Sequence, residues 1–173
     1  MGNRTIIVGL CGDYSQTNKY KYLGNMSFTG EYNNLLDQKN RLSIPAKYRN
    51  QLNPINDKTF VLCKGFDACL FLYPIEEWKI VEEQLSSLSS IKDRHRNFIR
   101  NIVRHANYVR YDSQGRIAIP ELLLDYANIK KEVLVIGMLK KIELWEPTIL
   151  TKHEKQKDLS DEDFEDLAKE ISF

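Results

Sequence analysis

Residues 37–45, with the sequence DQKNRLSIP, and residues 112–120, with the sequence DSQGRIAIP, are two copies of one pattern. Asp, Arg, Ile and Pro stand at the same positions in both copies, 75 residues apart. The likeness continues downstream, where residues 60–74 correspond to residues 133–147. Solenoids need at least three stacked repeats, so two copies of this length predict two half-domains that pack against each other.

Each copy begins with a turn that leads into a short strand. Glycine and asparagine adopt a positive φ more easily than other residues, so this conformation is predicted at Asn40 and Gly115. In the strand that follows, alternation places Arg41 and Arg116 on the face opposite the apolar side chains. We therefore expect both arginines to be exposed.

A short helix and a hairpin complete each copy. Proline fits the first turn of a helix, so the proline that closes each motif predicts helices over residues 46–52 and 121–127. The apolar segments that follow are interrupted by Gly65 and Gly137. They predict hairpins of two buried strands that turn at these glycines.

The segment between the copies has apolar residues at helical spacing. One stripe contains Trp78 and Leu85, and a second contains Phe98 and Ile102. Each stripe either covers the core of its own chain or contacts another protomer. The sequence Ser90-Ile91-Lys92-Asp93 has the spacing of a capping box and predicts the start of the second helix there.

Charge is unevenly distributed along the chain, although the formal net charge is only +1. Residues 92–116 carry seven Lys and Arg against two Asp. Within this segment Arg96, Arg100 and Arg104 form a basic ridge, either a solvated helix face or a set of phosphate contacts. Residues 151–173 carry four Lys against eight Asp and Glu, and are predicted to be a mobile tail or a weak helix.

The composition excludes several classes of protein. A near-zero net charge excludes a histone-like polycation, and no stretch approaches the roughly 18 apolar residues of a membrane span, so we expect a cytoplasmic protein. Three cysteines without CxxC spacing predict neither a disulfide framework nor a zinc site. Because the motifs of hydrolases, P-loop proteins and dinucleotide-binding proteins are missing, we expect no enzyme, no cofactor and no small-molecule substrate. A reactive thiol at Cys63 or Cys69 would contradict that expectation.

The Asp and Arg of each turn form the most informative pair of residue types. A carboxylate four residues before a guanidinium can hold it in one orientation and leave N–H donors for a phosphate or a guanine edge. Alternatively, each Asp caps its own turn and pairs with Arg only to stiffen the hairpin. The pairs alone leave both interpretations open. The duplication favours DNA, because two basic turns match the repeating phosphates of a duplex.

From Met26 to about Leu150 the sequence resembles the MraZ family, whose members carry two AbrB-like (SpoVT/AbrB) repeats, each marked by a DxxxR motif. The resemblance rests on Gly30-Glu31-Tyr32, on the two motif copies with residues 46–49, and on residues 142–145. It implies a β-rich fold, between all-β and α+β. The expected architecture is a double-split β-barrel of the AbrB and MazE type, with a helical insert between the repeats and a C-terminal helix or tail.

The resemblance also implies a function. The expected protein is a sequence-specific, nucleoid-associated transcriptional regulator that binds double-stranded DNA as a ring-shaped homo-oligomer. Its expected target is a set of promoter repeats of the bacterial division and cell-wall gene cluster that includes its own gene. The alternative is an antitoxin-like or scaffold interaction module without DNA readout, in which the acidic tail around Phe164 binds the partner.

Carried over residue by residue, the family motif assigns roles to the two turns. The expected DNA-contacting side chains are Arg41 and Arg116, with Lys39 and Gln114 beside them and with Lys47 and Arg49 on phosphates. The expected positioning residues are Asp37, Asp112, Gly115 and Asn40, the last of which stands where the family's first motif usually has Gly. The expected parts of the chain are an N-terminal extension from an upstream start or added artificially (1–25), a first repeat (26–78), a helical insert (79–104), a second repeat (105–150) and an acidic tail (151–173).

Overall fold

The computed structural model describes residues 26–157 and 160–170, so the expected N-terminal extension lies outside the described residues. Within those ranges the chain forms eight strands, six α-helices and one short 3-10 helix. The strands are β1 (Phe28–Leu35), β2 (Arg41–Ser43), β3 (Thr59–Lys64), β4 (Leu70–Pro74), β5 (Asn107–Arg110), β6 (Arg116–Ala118), β7 (Glu132–Leu139) and β8 (Lys141–Trp145). The helices are α1 (Ala46–Gln51), α2 (Ile75–Ser86), α3 (Asp93–Val103), α4 (Glu121–Tyr126), α5 (Pro147–Gln156) and α6 (Asp161–Glu170).

The two repeats exchange their first strands. The main sheet has the order β1-β7-β8-β4-β3-β5, with antiparallel pairing throughout. The first strand of each repeat thus pairs with a strand of the other repeat, at opposite edges of the sheet: β1 lies on β7, and β5 lies on β3. A separate antiparallel ribbon joins β2 to β6. This two-repeat β architecture agrees with the β-rich, two-repeat fold that the family resemblance implies.

The centre of the main sheet is covered on both faces. Successive side chains of a strand point to opposite faces, and those of β3 pack in two different cores. Phe60 and Leu62 pack with the β2–β6 ribbon, α1 and α4 in one core. Val61 and Cys63 pack on the other face, where Trp78 of α2 is only 2% exposed. The Trp78 stripe therefore covers the core of its own chain. The four central residues of β3, 60–63, are apolar because both of their faces are buried.

The turn of the second hairpin is not at Gly137, and that prediction is wrong. Gly137 lies inside β7, opposite Gly30 of β1, and the strand continues to Leu139. A Cβ atom at Gly137 would stand 2.5 Å from the backbone of Phe28 and Thr29. The glycine is needed for the close approach of two strands, whereas Gly65 does lie in the β3–β4 turn.

The helices between the repeats begin at other residues than their sequence predicts. The insert was expected from residue 79, but α2 starts at Ile75, directly after β4. The capping box is also wrong: the N-cap of α3 is Lys92, which forms no side-chain cap, and the Ser90 carbonyl accepts from Arg96 instead. The first strand of each repeat, β1 or β5, was not predicted from residue patterns.

The insert and the tail occupy equivalent places in the two repeats. Helices α2 and α3 follow β4 in the same order in which α5 and α6 follow β8. Of the two interpretations of the tail, the weak helix fits the described residues, since 161–170 are helical. The chain therefore carries two corresponding pairs of helices. The second helices of the two pairs are opposite in charge to each other: α3 is basic and α6 is acidic.

Candidate nucleic-acid interface

The two DxxxR turns meet at one place on the surface. Pairing of β2 with β6 sets Ser43 opposite Arg116 and Arg41 opposite Ala118. Two backbone hydrogen bonds cross between the turns: Ile44 N–H donates to the Gly115 carbonyl at 2.9 Å, and Ile119 N–H donates to the Asn40 carbonyl at 2.9 Å. The two motifs therefore build one contiguous cluster on a two-stranded ribbon, rather than two separate contact points.

Each aspartate organises its own turn with both carboxylate oxygens. Asp37 Oδ1 accepts the backbone N–H groups of Lys39 (2.8 Å) and Arg41 (3.0 Å), while Oδ2 accepts Nε of Arg41 at 2.7 Å. Nη2 of Arg41 lies 2.7 Å from the same Oδ2. The carboxylate thus caps the turn and orients the arginine at the same time. Capping and orienting are the two structural roles that the sequence left open for the aspartate.

The second turn repeats the arrangement of the first. Asp112 Oδ1 accepts the backbone N–H groups of Gln114 (2.9 Å) and Arg116 (3.0 Å). Asp112 Oδ2 accepts Nε at 3.0 Å and Nη2 at 2.7 Å from Arg116. Each fork uses two of the five N–H donors of its guanidinium, so the remaining donors of each arginine are left for other acceptors.

The two Asp–Arg pairs also interact with each other. Arg41 Nη1 lies 3.9 Å from Asp112 Oδ2, and Arg116 Nη1 lies 3.6 Å from Asp37 Oδ2. The side chains of Arg41 and Arg116 are 32% and 24% exposed. Both arginines are thus only partly exposed, less than the alternation along the strand predicts. The carboxylate of the opposite repeat covers part of each guanidinium, which fixes it without burying it.

The electrostatics of the cluster keep both carboxylates ionised. Hydrogen bonds from the Arg116 side chain, then from its backbone, lower the pKa of Asp112 to about 2. For Asp37, desolvation raises the pKa, but hydrogen bonds from the backbone of Arg41 and Lys39 and from the Arg41 side chain outweigh it and the net shift is downward. Both guanidiniums therefore keep a charged partner at neutral pH.

Positive backbone φ occurs at the two predicted positions, with φ of 54° at Asn40 and 77° at Gly115. Gly115 is constrained a second time, because a Cβ atom there would lie 2.6 Å from Cζ and Nε of Arg49. Arg49 Nε in turn donates to the Ile44 carbonyl at 3.0 Å. An arginine of the first repeat thus packs on the turn of the second, and no sequence pattern predicts this contact.

The other predicted site residues are distributed around the cluster. Lys39 and Gln114 are exposed at the tips of the two turns. Arg49 lies against the second turn with its guanidinium 5.8 Å above the Tyr111 ring, which gives it a positioning role in addition to its charge. Lys47 points elsewhere, since its Nζ donates to the Thr29 carbonyl of β1 at 3.1 Å.

The basic ridge of α3 is on the other side of the molecule. Ile102 of α3 packs in the core that contains Val61 and Cys63, whereas Leu42 and Ile117 of the ribbon pack in the core on the opposite face of the sheet. The main sheet therefore separates the ridge from the Asp–Arg cluster.

The described residues give little support for nucleophilic catalysis by cysteine, for metal binding or for a membrane-spanning helix. Burial raises the pKa of Cys63 and Cys69 to about 12, so both remain thiols at neutral pH and lack the thiolate that nucleophilic catalysis needs. Among residues 26–157 and 160–170, no three His, Cys, Asp or Glu side chains are grouped as metal ligands. No helix in this part of the chain is long and apolar enough to span a membrane.

Two interlocked repeats, each with a DxxxR turn on a shared ribbon, define a two-repeat protein of the AbrB-like class. A family model described as "MraZ protein, putative antitoxin-like" matches residues 27–101 and 102–171. The chain belongs to the MraZ family. The match to the family model places α2 and nearly all of α3 in the first repeat, and α5 and α6 in the second.

Three relatives, each named "Transcriptional regulator MraZ", are similar over most of the chain. The protein of Clostridium tetani is 41% identical over 147 residues, which cover 84% of this chain and 96% of the relative. That of Pediococcus pentosaceus is 40% identical over 144 residues, covering 83% and 96%. That of Clostridium acetobutylicum is 45% identical over 118 residues, covering 68% and 80%.

Proposed function

We propose that this chain is a transcriptional regulator that reads double-stranded DNA with the paired DxxxR turns. The observation that carries the proposal is the Asp–Arg cluster: two guanidiniums held by carboxylates on an antiparallel ribbon, with N–H donors to spare. A two-stranded ribbon fits the B-DNA major groove, and an oriented guanidinium is the commonest partner of guanine O6 and N7. The names of the relatives support the same role.

In the proposed mechanism, preorganisation supplies the specificity. The carboxylates hold Arg41 and Arg116 before DNA arrives, so little side-chain entropy is lost on binding. Lys39 and Gln114 at the turn tips contact phosphates or neighbouring base edges, and Arg49 supports the second turn. Each bidentate contact to guanine contributes about 1–3 kcal/mol of discrimination against another base.

The proposed target is a set of short repeats upstream of the division and cell-wall gene cluster that contains the gene itself. One protomer offers one compact cluster, which binds a single short site weakly. Several protomers in a ring-shaped homo-oligomer engage several repeats together and raise the effective affinity through local concentration. The proposed place of action is the nucleoid, where the bound oligomer competes with RNA polymerase for the promoter.

Fluorescence anisotropy with the full chain tests this function. We expect tighter binding to duplex DNA from upstream of the gene than to a scrambled duplex, and loss of that preference in Arg41→Ala or Arg116→Ala. Arg116→Lys keeps the charge but not the fork, so it should retain salt-dependent binding and lose discrimination. Arg94→Ala, on exposed α3 across the sheet, is the matched control and should bind as the unaltered chain does.

Two outcomes would contradict the proposal. If both duplexes bind equally and the cluster variants behave as the unaltered chain, the turns do not read bases. If no DNA binds at low or near-physiological salt, the interaction-module interpretation replaces the regulator.

A further inference from the structure

The outer side of α3 combines apolar and basic side chains without a described partner element. A shallow groove there is lined by Ser90, Arg96, Ile99, Arg100, Val103 and Arg104. Val103 is 47% exposed, and among the described residues the Arg100 side chain donates to Asn97 of its own helix, at 2.8 Å. Residues 92–104 carry five basic residues against one Asp, a net charge of +4. An occupant of this groove must therefore offer apolar side chains flanked by carboxylates.

Helix α6 has those properties. Phe164 and Leu167, three residues apart on one side of the helix, are 67% and 48% exposed. Residues 160–170 carry six Asp and Glu against one Lys, a net charge of −5. The hydrogen bonds and ion pairs described for α6 stay within its own segment, such as Ser160 with Asp163 and Lys169 with Asp166. An amphipathic acidic helix thus presents its apolar side to solvent.

We propose that α6 of one copy of this chain docks in the α3 groove of a second copy. Phe164 and Leu167 cover Ile99 and Val103, and carboxylates of α6 pair with Arg100 and Arg104. Charge complementarity between two exposed amphipathic surfaces of similar length supports this contact. It deepens the oligomeric part of the proposed function and rests on it.

The docking of two different surfaces has a geometric consequence. A contact between α3 of one copy and α6 of the next is heterologous, so a pair of copies keeps one free α6 and one free α3 groove. Repetition of such a contact closes into a ring or continues as a filament. The sheet separates α3 from the Asp–Arg cluster, so this assembly leaves the cluster of every copy open to DNA.

Charge reversal in the full chain tests this contact. The groove variant reverses two basic residues, the helix variant reverses two acidic residues, and a third protein combines both pairs: Arg100→Glu with Arg104→Glu, Glu165→Lys with Glu170→Lys, and all four together. The matched control reverses two exposed lysines of α5, Lys152→Glu with Lys155→Glu. Masses are measured by light scattering on a size-exclusion column at low salt, with the fold of each protein checked by circular dichroism.

The proposal predicts a specific pattern of masses. The unaltered chain and the control should form oligomers, while the groove variant and the helix variant should each run as the 20.3 kDa monomer or need at least tenfold higher concentration to assemble. The four-substitution protein should assemble again. A mixture of the groove and helix variants should also assemble, because each then meets an oppositely charged partner on the other chain.

Several outcomes would overturn the proposal. If either variant folds and keeps the mass of the unaltered chain, the contact is excluded. Leu167→Ser, on a helix whose described bonds are its own, repeats this test without a charge change. If the four-substitution protein assembles but the mixture stays monomeric, α6 docks on α3 of its own chain. A monomeric unaltered chain would refute the oligomer altogether, whereas its anisotropy on duplex DNA tests base readout separately.

Discussion

Replacing Gly115 with alanine should destabilise the second DxxxR turn through two separable effects. The backbone φ of 77° lies in the left-handed region, which an alanine side chain disfavours. The new Cβ atom would also stand 2.6 Å from Cζ and Nε of Arg49. Arg49 cannot move away without stretching its 3.0 Å hydrogen bond to the Ile44 carbonyl.

The expected loss of stability follows from these two contributions. The left-handed backbone costs about 1–2 kcal/mol for a residue with a Cβ atom. Loss of the Arg49 hydrogen bond costs about 0.5–1.5 kcal/mol. Together they lower the free energy of unfolding by about 2.5 kcal/mol. For a chain of this length, that corresponds to a fall in Tm of roughly 5–10 °C.

A double-mutant cycle separates the two contributions. Unfolding is measured at one protein concentration for the unaltered chain, Gly115→Ala, Arg49→Ala and the double variant. Once Arg49 is gone, the alanine should cost only the backbone contribution, so we expect a coupling of about 0.5–1.5 kcal/mol. Asn40→Ala is the matched control, since φ there is 54° and a Cβ atom is already accommodated. Additive effects of Gly115→Ala and Arg49→Ala would refute the packing argument.

Three further predictions follow from the described geometry. Hydrogen bonds lower the pKa of Asp112 to about 2, so its ionised form stabilises the fold above pH 3.8, and this contribution is lost as the pH falls from 3.8 toward 2. The urea midpoint should therefore drop across that window, and less steeply in Asp112→Asn; equal slopes would contradict a stabilising role of the Asp112 carboxylate. Cys63 and Cys69, with pKa values of about 12, should resist iodoacetamide at pH 7 until the protein unfolds, in a Cys11→Ser background; rapid labelling would reopen an enzymatic role. Gly137→Ala should lower the free energy of unfolding by about 1–3 kcal/mol, because its Cβ atom would lie 2.5 Å from the backbone of β1. Hydrogen exchange of the β1 amides should become faster, and unchanged exchange would refute the close contact.

The parts of the site that the sequence predicts are those in which residues close in the chain interact. Asp37 and Arg41 are four residues apart, and the turn between them needs a positive φ that Asn40 supplies. The same holds for the second turn. The short helices end within one residue of their predicted limits, because the proline and the apolar periodicity act locally.

The parts that the sequence does not predict depend on contacts between distant residues. A glycine between apolar segments indicates a turn equally well at Gly65 and at Gly137, and only the second lies against a neighbouring strand. Arg49 meets Gly115 across 66 positions, with no periodicity to connect them. β1 is exposed at five of its eight residues, so it has little apolar signal and is held by its pairing with β7.

The interlocking of the repeats ties the proposed DNA contact to folding of the whole chain. Neither turn is complete alone, since Ile44 of the first repeat bonds to Gly115 of the second and Ile119 bonds back to Asn40. Each arginine is likewise held by its own aspartate and approached by that of the other repeat. A single repeat would leave one guanidinium with one carboxylate and an open ribbon edge. Both repeats of the chain are therefore needed to position the arginines.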